Sequence, residues 1–174
     1  EISRAQFTGL KEVLVNVEKV PAQQANQEAM NRLVRQKIIQ IIARESGLTP
    51  DAQEVENRLA LLYEQAAQIP EIQAILEPQA NAQGMDWDSE AFKALIRESL
   101  TRALEAEHLY QQALEQADGD SAAAQSEVEK LIDERYASLH VRFEVSNLPD
   151  EARSIHFPSI DELRAGRSLE GNIP

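Results

Sequence analysis

Residues 30–62 read MNRLVRQKIIQIIARESGLTPDAQEVENRLALL, and this stretch decides the fold class. Met30, Leu33, Val34, Ile38, Ile41 and Ile42 recur every three or four positions, which predicts a wide apolar stripe on a helix over about 26–46. Gly47 suits the left-handed backbone that closes a helix, and Leu48 can supply the apolar contact that accompanies such a cap. Thr49 then reads as the N-cap of a further helix, with Pro50 at its first position, where a missing N–H costs nothing. Asp51 and Glu54 sit toward the positive end of its dipole. Val55, Leu59, Leu62, Ala66 and Ile69 continue by fours and threes as one buried seam, while Leu61 and Tyr63 lie off it.

Working outward, the N-terminal EISRAQF carries three signs of a helix start. Ser3 and Gln6 form a capping box, and Ile2 with Phe7 forms the hydrophobic staple. That helix is expected over 4–20, with Leu10, Leu14 and Val17 inward and Pro21 as its stop. Downstream, Pro70 ends the 49–69 helix, and EIQAIL before Pro78 reads as one short helical turn. QANAQGMDWDSE, residues 79–90, is the main loop. A long helix follows over 90–116, capped by Asp88 or Ser89 and about 40 Å in length. DGDS, residues 118–121, is a turn and a fresh cap for a fifth main helix. From Leu139 the period changes: Leu139, Val141, Phe143 and Val145 alternate with His140, Arg142 and Glu144, which favours a strand or extended arm over continued helix. The expected architecture is all-α, with about five main helices and a short extended C-terminal arm. It divides into a core over 1–145 and a tail over 146–174, with a short helix in SIDELRAG at 159–166.

Composition narrows the function classes. The 174 residues are 43% hydrophobic but only 5% aromatic, so aliphatic side chains carry the packing. A net charge of −13 repels phosphates and argues against a nucleic-acid partner. With no cysteine, disulfides, thiolate catalysis and cysteine-ligated metal are excluded. No run approaches the roughly 18 apolar residues of a membrane span.

Motifs for chemistry are sparse. His108, His140 and His156 lie far apart along the chain, and none belongs to an HExxH pattern, so no metal site is assigned. MDWDSE lacks the alternating ligands, central Gly and closing Glu of a calcium loop. No serine has a nucleophile-elbow context and no glycine-rich phosphate loop occurs. No catalytic residue and no cofactor is assigned. Leu61, Tyr63, Ile72, Ile75, Met85 and Trp87 stand out instead: apolar side chains beside the main loop. They either complete the core or line a groove for extended apolar peptides, where Met and aromatic side chains adapt to varied partners.

The order of these segments resembles the N-terminal domain of SurA-type chaperones, the group containing SurA, PrsA and PpiD. EISRAQF resembles the start of that domain. Residues 30–62, with R-x-x-I-I followed by G-L-T-P-D-A-x-E-V, resemble its second and third helices. SEAFKALIRESLTRALEAEHLY resembles the long helix that follows. The likeness covers about residues 1–115. It implies an extracytoplasmic, ATP-independent holdase for unfolded envelope proteins, in the periplasm or cell envelope, preceded by a signal sequence or anchor. Members of the group often carry a parvulin prolyl-isomerase domain. The remaining tail is too short for one, so the chain is expected to be no enzyme. SEVEKLIDERYASLHVRFEV resembles the helix and strand that pack back on the N-terminal helices in SurA. The competing expectation is a structural or assembly module, a homodimer exchanging an arm over 139–174 or a binder of one fixed partner.

Overall fold

The computed structural model describes residues 2, 4–139 and 155–165. Among them the chain is all-helical, with no strand. The helices are α1 Arg4–Asn16, α2 Ala22–Glu45, α3 Ala52–Gln68, α4 Pro70–Ala82, α5 Glu90–Gln116, α6 Ser121–Ser138 and α7 Ile160–Ala165.

The centre is α2. It packs against α1, α5, α6 and α7, so the expected stripe extends to most of its circumference. Ala25, Ala29, Met30, Leu33, Val34, Ile38, Ile39, Ile42 and Ala43 are buried, and so are Asn31, Arg32, Arg35 and Gln40. Ile41, placed in the stripe by its spacing, is partly exposed. Buried polar groups need partners. Arg32 reaches the Glu18 and Glu28 carboxylates, at 2.7 and 2.9 Å. Arg35 makes a two-pronged pair with Glu129 of α6, at 2.6 and 3.1 Å.

Local chemistry explains the element ends, and several differ from expectation. α1 stops at Asn16 rather than Val20 because Lys19 adopts a positive φ of 59°. Pro21 does not merely stop a helix: its carbonyl accepts from Gln24 and Ala25, so α2 begins four residues earlier than expected. Ser3 lies outside the described residues; Phe7 is buried in the main core and Ile2 packs against it. At the end of α2 the Gly cap forms as expected. Gly47 has φ 71°, Leu48 N–H donates to the Ala43 carbonyl, and Gly47 N–H donates to that of Arg44. The start of α3 is corrected: Asp51, not Thr49, is the N-cap, its carboxylate accepting from Glu54 N–H at 2.8 Å. An ionised carboxylate outcompetes a hydroxyl at the positive end of a dipole.

The largest correction is α4. A short turn was expected, yet thirteen residues are helical, running through Pro78. Ile69 is extended and serves as both the C-cap of α3 and the N-cap of α4, with Pro70 at the first position. Gly84, φ 67°, ends the helix, so the connecting loop shrinks to residues 83–89. Beyond it α5 spans the range expected, capped by Ser89, and Asp120 caps α6 through two N–H groups.

Two apolar cores result. The main one joins α1, α2, the C-terminal half of α5, α6 and the α7 segment. The smaller one comprises Leu59, Ala66, Leu76, Ala80, Phe92 and Ile96, from α3, α4 and the N-terminal half of α5. At about 40 Å, α5 is long enough to serve both.

α6 ends at Leu139, which is extended. The expected alternation beyond it, from His140 to Val145, lies outside the described residues. Residues 155–165 lie back on the body. Ile155, Pro158 and Leu163 are buried, Phe157 stacks on Tyr136 at 5.8 Å, and Gln27 bonds both the N–H and the carbonyl of His156. A capping box starts α7: Ser159 accepts from Glu162 N–H, while the Glu162 carboxylate returns to Ser159 N–H.

Candidate functional site

Of the six apolar residues singled out in the sequence, the structure gathers four. Tyr63, Ile72, Met85 and Trp87 pack, partly exposed, on the smaller core. Tyr63 and Trp87 stack with ring centroids 5.5 Å apart and planes 6° from parallel. The Tyr63 hydroxyl donates to the Trp87 carbonyl at 2.6 Å, which fastens the 83–89 loop to α3. The Lys93 ammonium sits 5.3 Å from the centre of the Tyr63 ring. Burial raises the Tyr63 phenol pKa, and the neighbouring Asp88 and Glu90 carboxylates add to the rise.

The other two lie apart. Two residues on a helix are separated by about 200°, so Leu61 and Tyr63 occupy opposite flanks of α3. Leu61 is 45% exposed and borders an open depression of about 370 Å³, which Asp51, Gln53, Glu54, Asn57, Arg58 and Leu104 also line. Ile75, 47% exposed, is on the outward face of α4. Ile69, expected at the end of the buried α3 seam, is instead extended and exposed, because the helix stops at Gln68, and Leu95 is likewise large, apolar and exposed. Spacing gave no signal for Leu95: three residues after Phe92 and one before Ile96, it falls on the same face by helical period, yet it is exposed.

Ion pairs tie α3 to α5 on both flanks. Arg58 pairs with Glu107 at 2.8 Å, and Arg97 with Glu56 at 2.6 Å. His108 of α5 bridges to the preceding turn and to α3: Nδ1 is 3.0 Å from the Leu48 carbonyl and Nε2 is 2.8 Å from Glu54 Oε1. Among the described residues no three His, Asp or Glu side chains come together to hold a metal ion. No described helix is long and apolar enough to cross a membrane.

The arrangement sets apolar and aromatic groups, partly exposed, on a small helical lobe held to a larger body. Comparisons with protein-family models, with curated proteins and with solved structures find no match to this chain.

Proposed function

We propose that the protein is a client-binding module, an ATP-independent holdase that transiently covers apolar and aromatic segments of unfolded envelope proteins. One observation carries the reading. Of the large apolar side chains exposed among the described residues, Val17 alone lies elsewhere; Leu61, Ile69, Ile75 and Leu95 all belong to α3, α4, the joint between them or the N-terminal half of α5. Gathering of such groups on one lobe, though on different faces of it, favours an interaction role for that lobe over the ordinary scatter of exposed apolar residues. The resemblance to SurA-type domains supports the same reading and supplies its compartment, the periplasm or cell envelope. No catalytic step is part of it.

The energetics suit release without a nucleotide. Covering apolar area contributes roughly 25 cal/mol per Å². Ordering the client opposes this, leaving affinities on the order of micromolar. The test is fluorescence anisotropy of a dye-labelled, aromatic-rich unfolded peptide titrated with the protein. A scrambled peptide and a polar peptide serve as controls. Saturable binding of both apolar peptides and none of the polar one is expected. Failure of both apolar peptides to bind the folded protein refutes the reading.

A second reading has its own observation. Residues 155–165 dock on α2 and α6 through Ile155 and Leu163, a contact that the same segment of another copy can make. A homodimer by exchange follows from that alternative, and a mass that rises with concentration in sedimentation equilibrium is its signature.

A further inference from the structure

On α4, Ile72, Leu76 and Ala80 point into the smaller core. Ala74, Ile75, Pro78 and Ala82 share the other side and are all exposed. Their spacing of three and four makes a second apolar stripe. A helix apolar on both sides is ordinarily covered on both, yet among the described residues the neighbours of α4, which are α3, the N-terminal half of α5 through the smaller core and, more slightly, α1, leave this outward stripe exposed. Pro78 lies on the outward stripe and has no N–H, so the Ala74 carbonyl, on the same side, lacks the donor a regular helix would give it. The face thus offers both apolar area and an acceptor.

The surrounding charge selects the occupant. From Leu59 to Phe92 there is no Lys, Arg or His, while Glu64, Glu71, Glu77, Asp86, Asp88 and Glu90 are all acidic. Glu90 is answered by Lys93 and Arg97. Glu64, Glu71, Asp86 and Asp88 are exposed, with no ion pair among the described residues. A second copy of this chain fits poorly, because a two-fold pairing would set the same acidic rim against itself.

We infer that the outward face of α4 docks a basic, apolar polypeptide segment, one with Lys or Arg interleaved among aliphatic residues. This rests on the client-binding reading and names the client class. The apolar stripe supplies adhesion, the acidic rim supplies choice and speed of encounter, and the Ala74 carbonyl can accept from a Lys, Arg or backbone N–H of the occupant.

Three labelled peptides of equal length and equal apolar content test this on the full chain. One carries Lys and Arg at its polar positions, one Ser and Gln, and one Asp and Glu. The basic peptide is expected to bind about tenfold tighter than the neutral one and the acidic one weakest, with the differences shrinking in high salt. Ile75→Ser should weaken the basic and neutral peptides alike. Glu71→Lys should narrow the gap between them. Both positions are exposed, and unchanged circular dichroism and melting confirm folding. Equal affinity for basic and neutral peptides overturns the inference while leaving the client-binding reading intact. So does unchanged affinity in Ile75→Ser. Binding of none of the three refutes both. Concentration-dependent dimers that vanish in Ile75→Ser would assign the face to a second copy and overturn the inference.

Discussion

His108 stands between two acceptors, the Leu48 carbonyl and the Glu54 carboxylate. A neutral imidazole can donate to only one of them, so the arrangement selects the imidazolium. Its pKa is raised from the ordinary 6.5, first by the Leu48 carbonyl and then by Glu54, with Glu107 adding a smaller pull. The folded state therefore binds the proton more tightly than the unfolded chain. The stabilisation is fully present below the unfolded value of about 6.5 and is lost as pH rises through the folded one. With the side chain 29% exposed, about 1 kcal/mol is expected after allowing for solvent screening. Urea unfolding of parent and His108→Gln from pH 5 to 9 checks this: the gap should be widest at pH 5 and close toward pH 9. A gap independent of pH would remove the imidazolium from the account.

Arg35 and Glu129 make a different point at the same scale. Their side chains are 4% and 10% exposed. Arg35→Met takes the two-pronged guanidinium from a buried carboxylate and should cost about 3–5 kcal/mol, whereas Arg35→Met with Glu129→Met should recover most of it. A denaturation double-mutant cycle reads both values. Nothing in the sequence marked this pair. An Arg on a helix reads as solvated, and the distance of ninety-odd residues between partners hides the contact. Caps were legible because their chemistry is local: Gly47, Ser89 and Asp120 act within a few residues of themselves. Even there the choice between Thr49 and Asp51 needed the backbone.

Among elements, α2 and α4 define what periodicity can reveal. The Met30–Ile42 stripe gave α2 at once, since apolar spacing is its own evidence. What spacing could not give was the width of burial, because α1, α5, α6 and α7 surround the helix. Ile38 is 1% exposed. Ile38→Asp should cost several kcal/mol and abolish cooperative melting, while Ile41→Asp, at a partly exposed position, should be far milder. In α4 the two prolines misled. Pro70 is a helix starter, and Pro78 was read as an end although the helix continues through it. Pro78→Ala should restore a hydrogen bond and raise stability by about 1–3 kcal/mol, seen as a higher melting temperature and added helical ellipticity. No gain would mean that α4 is already relaxed around the ring.

For the whole molecule, helix-rich composition and the run of caps made the all-α class readable. The arrangement into two cores was not, because it depends on which faces meet. Nor was the division of the six apolar residues: Tyr63, Ile72, Met85 and Trp87 meet on one core, while helical phase sends Leu61 and Ile75 elsewhere. The docking of residues 155–165 is likewise a long-range fact. Leu163 is 1% exposed, and Leu163→Ala should lower stability by about 2–5 kcal/mol in urea unfolding. A negligible loss would show that the segment adds little to the body it covers.

The sharing of α5 between two cores sets a hierarchy of openings. α3 and α4 meet the rest along α5, with a slighter contact between α4 and α1, so that pair can swing free while the α2-centred body stays folded. Such a partial opening exposes the apolar lining of the smaller core, sticky area that the resting surface hides. In native-state hydrogen exchange, α4 amides should then exchange through this limited opening and those of α2 only through complete unfolding. On the client-binding proposal, a client that prefers the opened lobe would raise its population, and the grip would adjust to the size of the chain held.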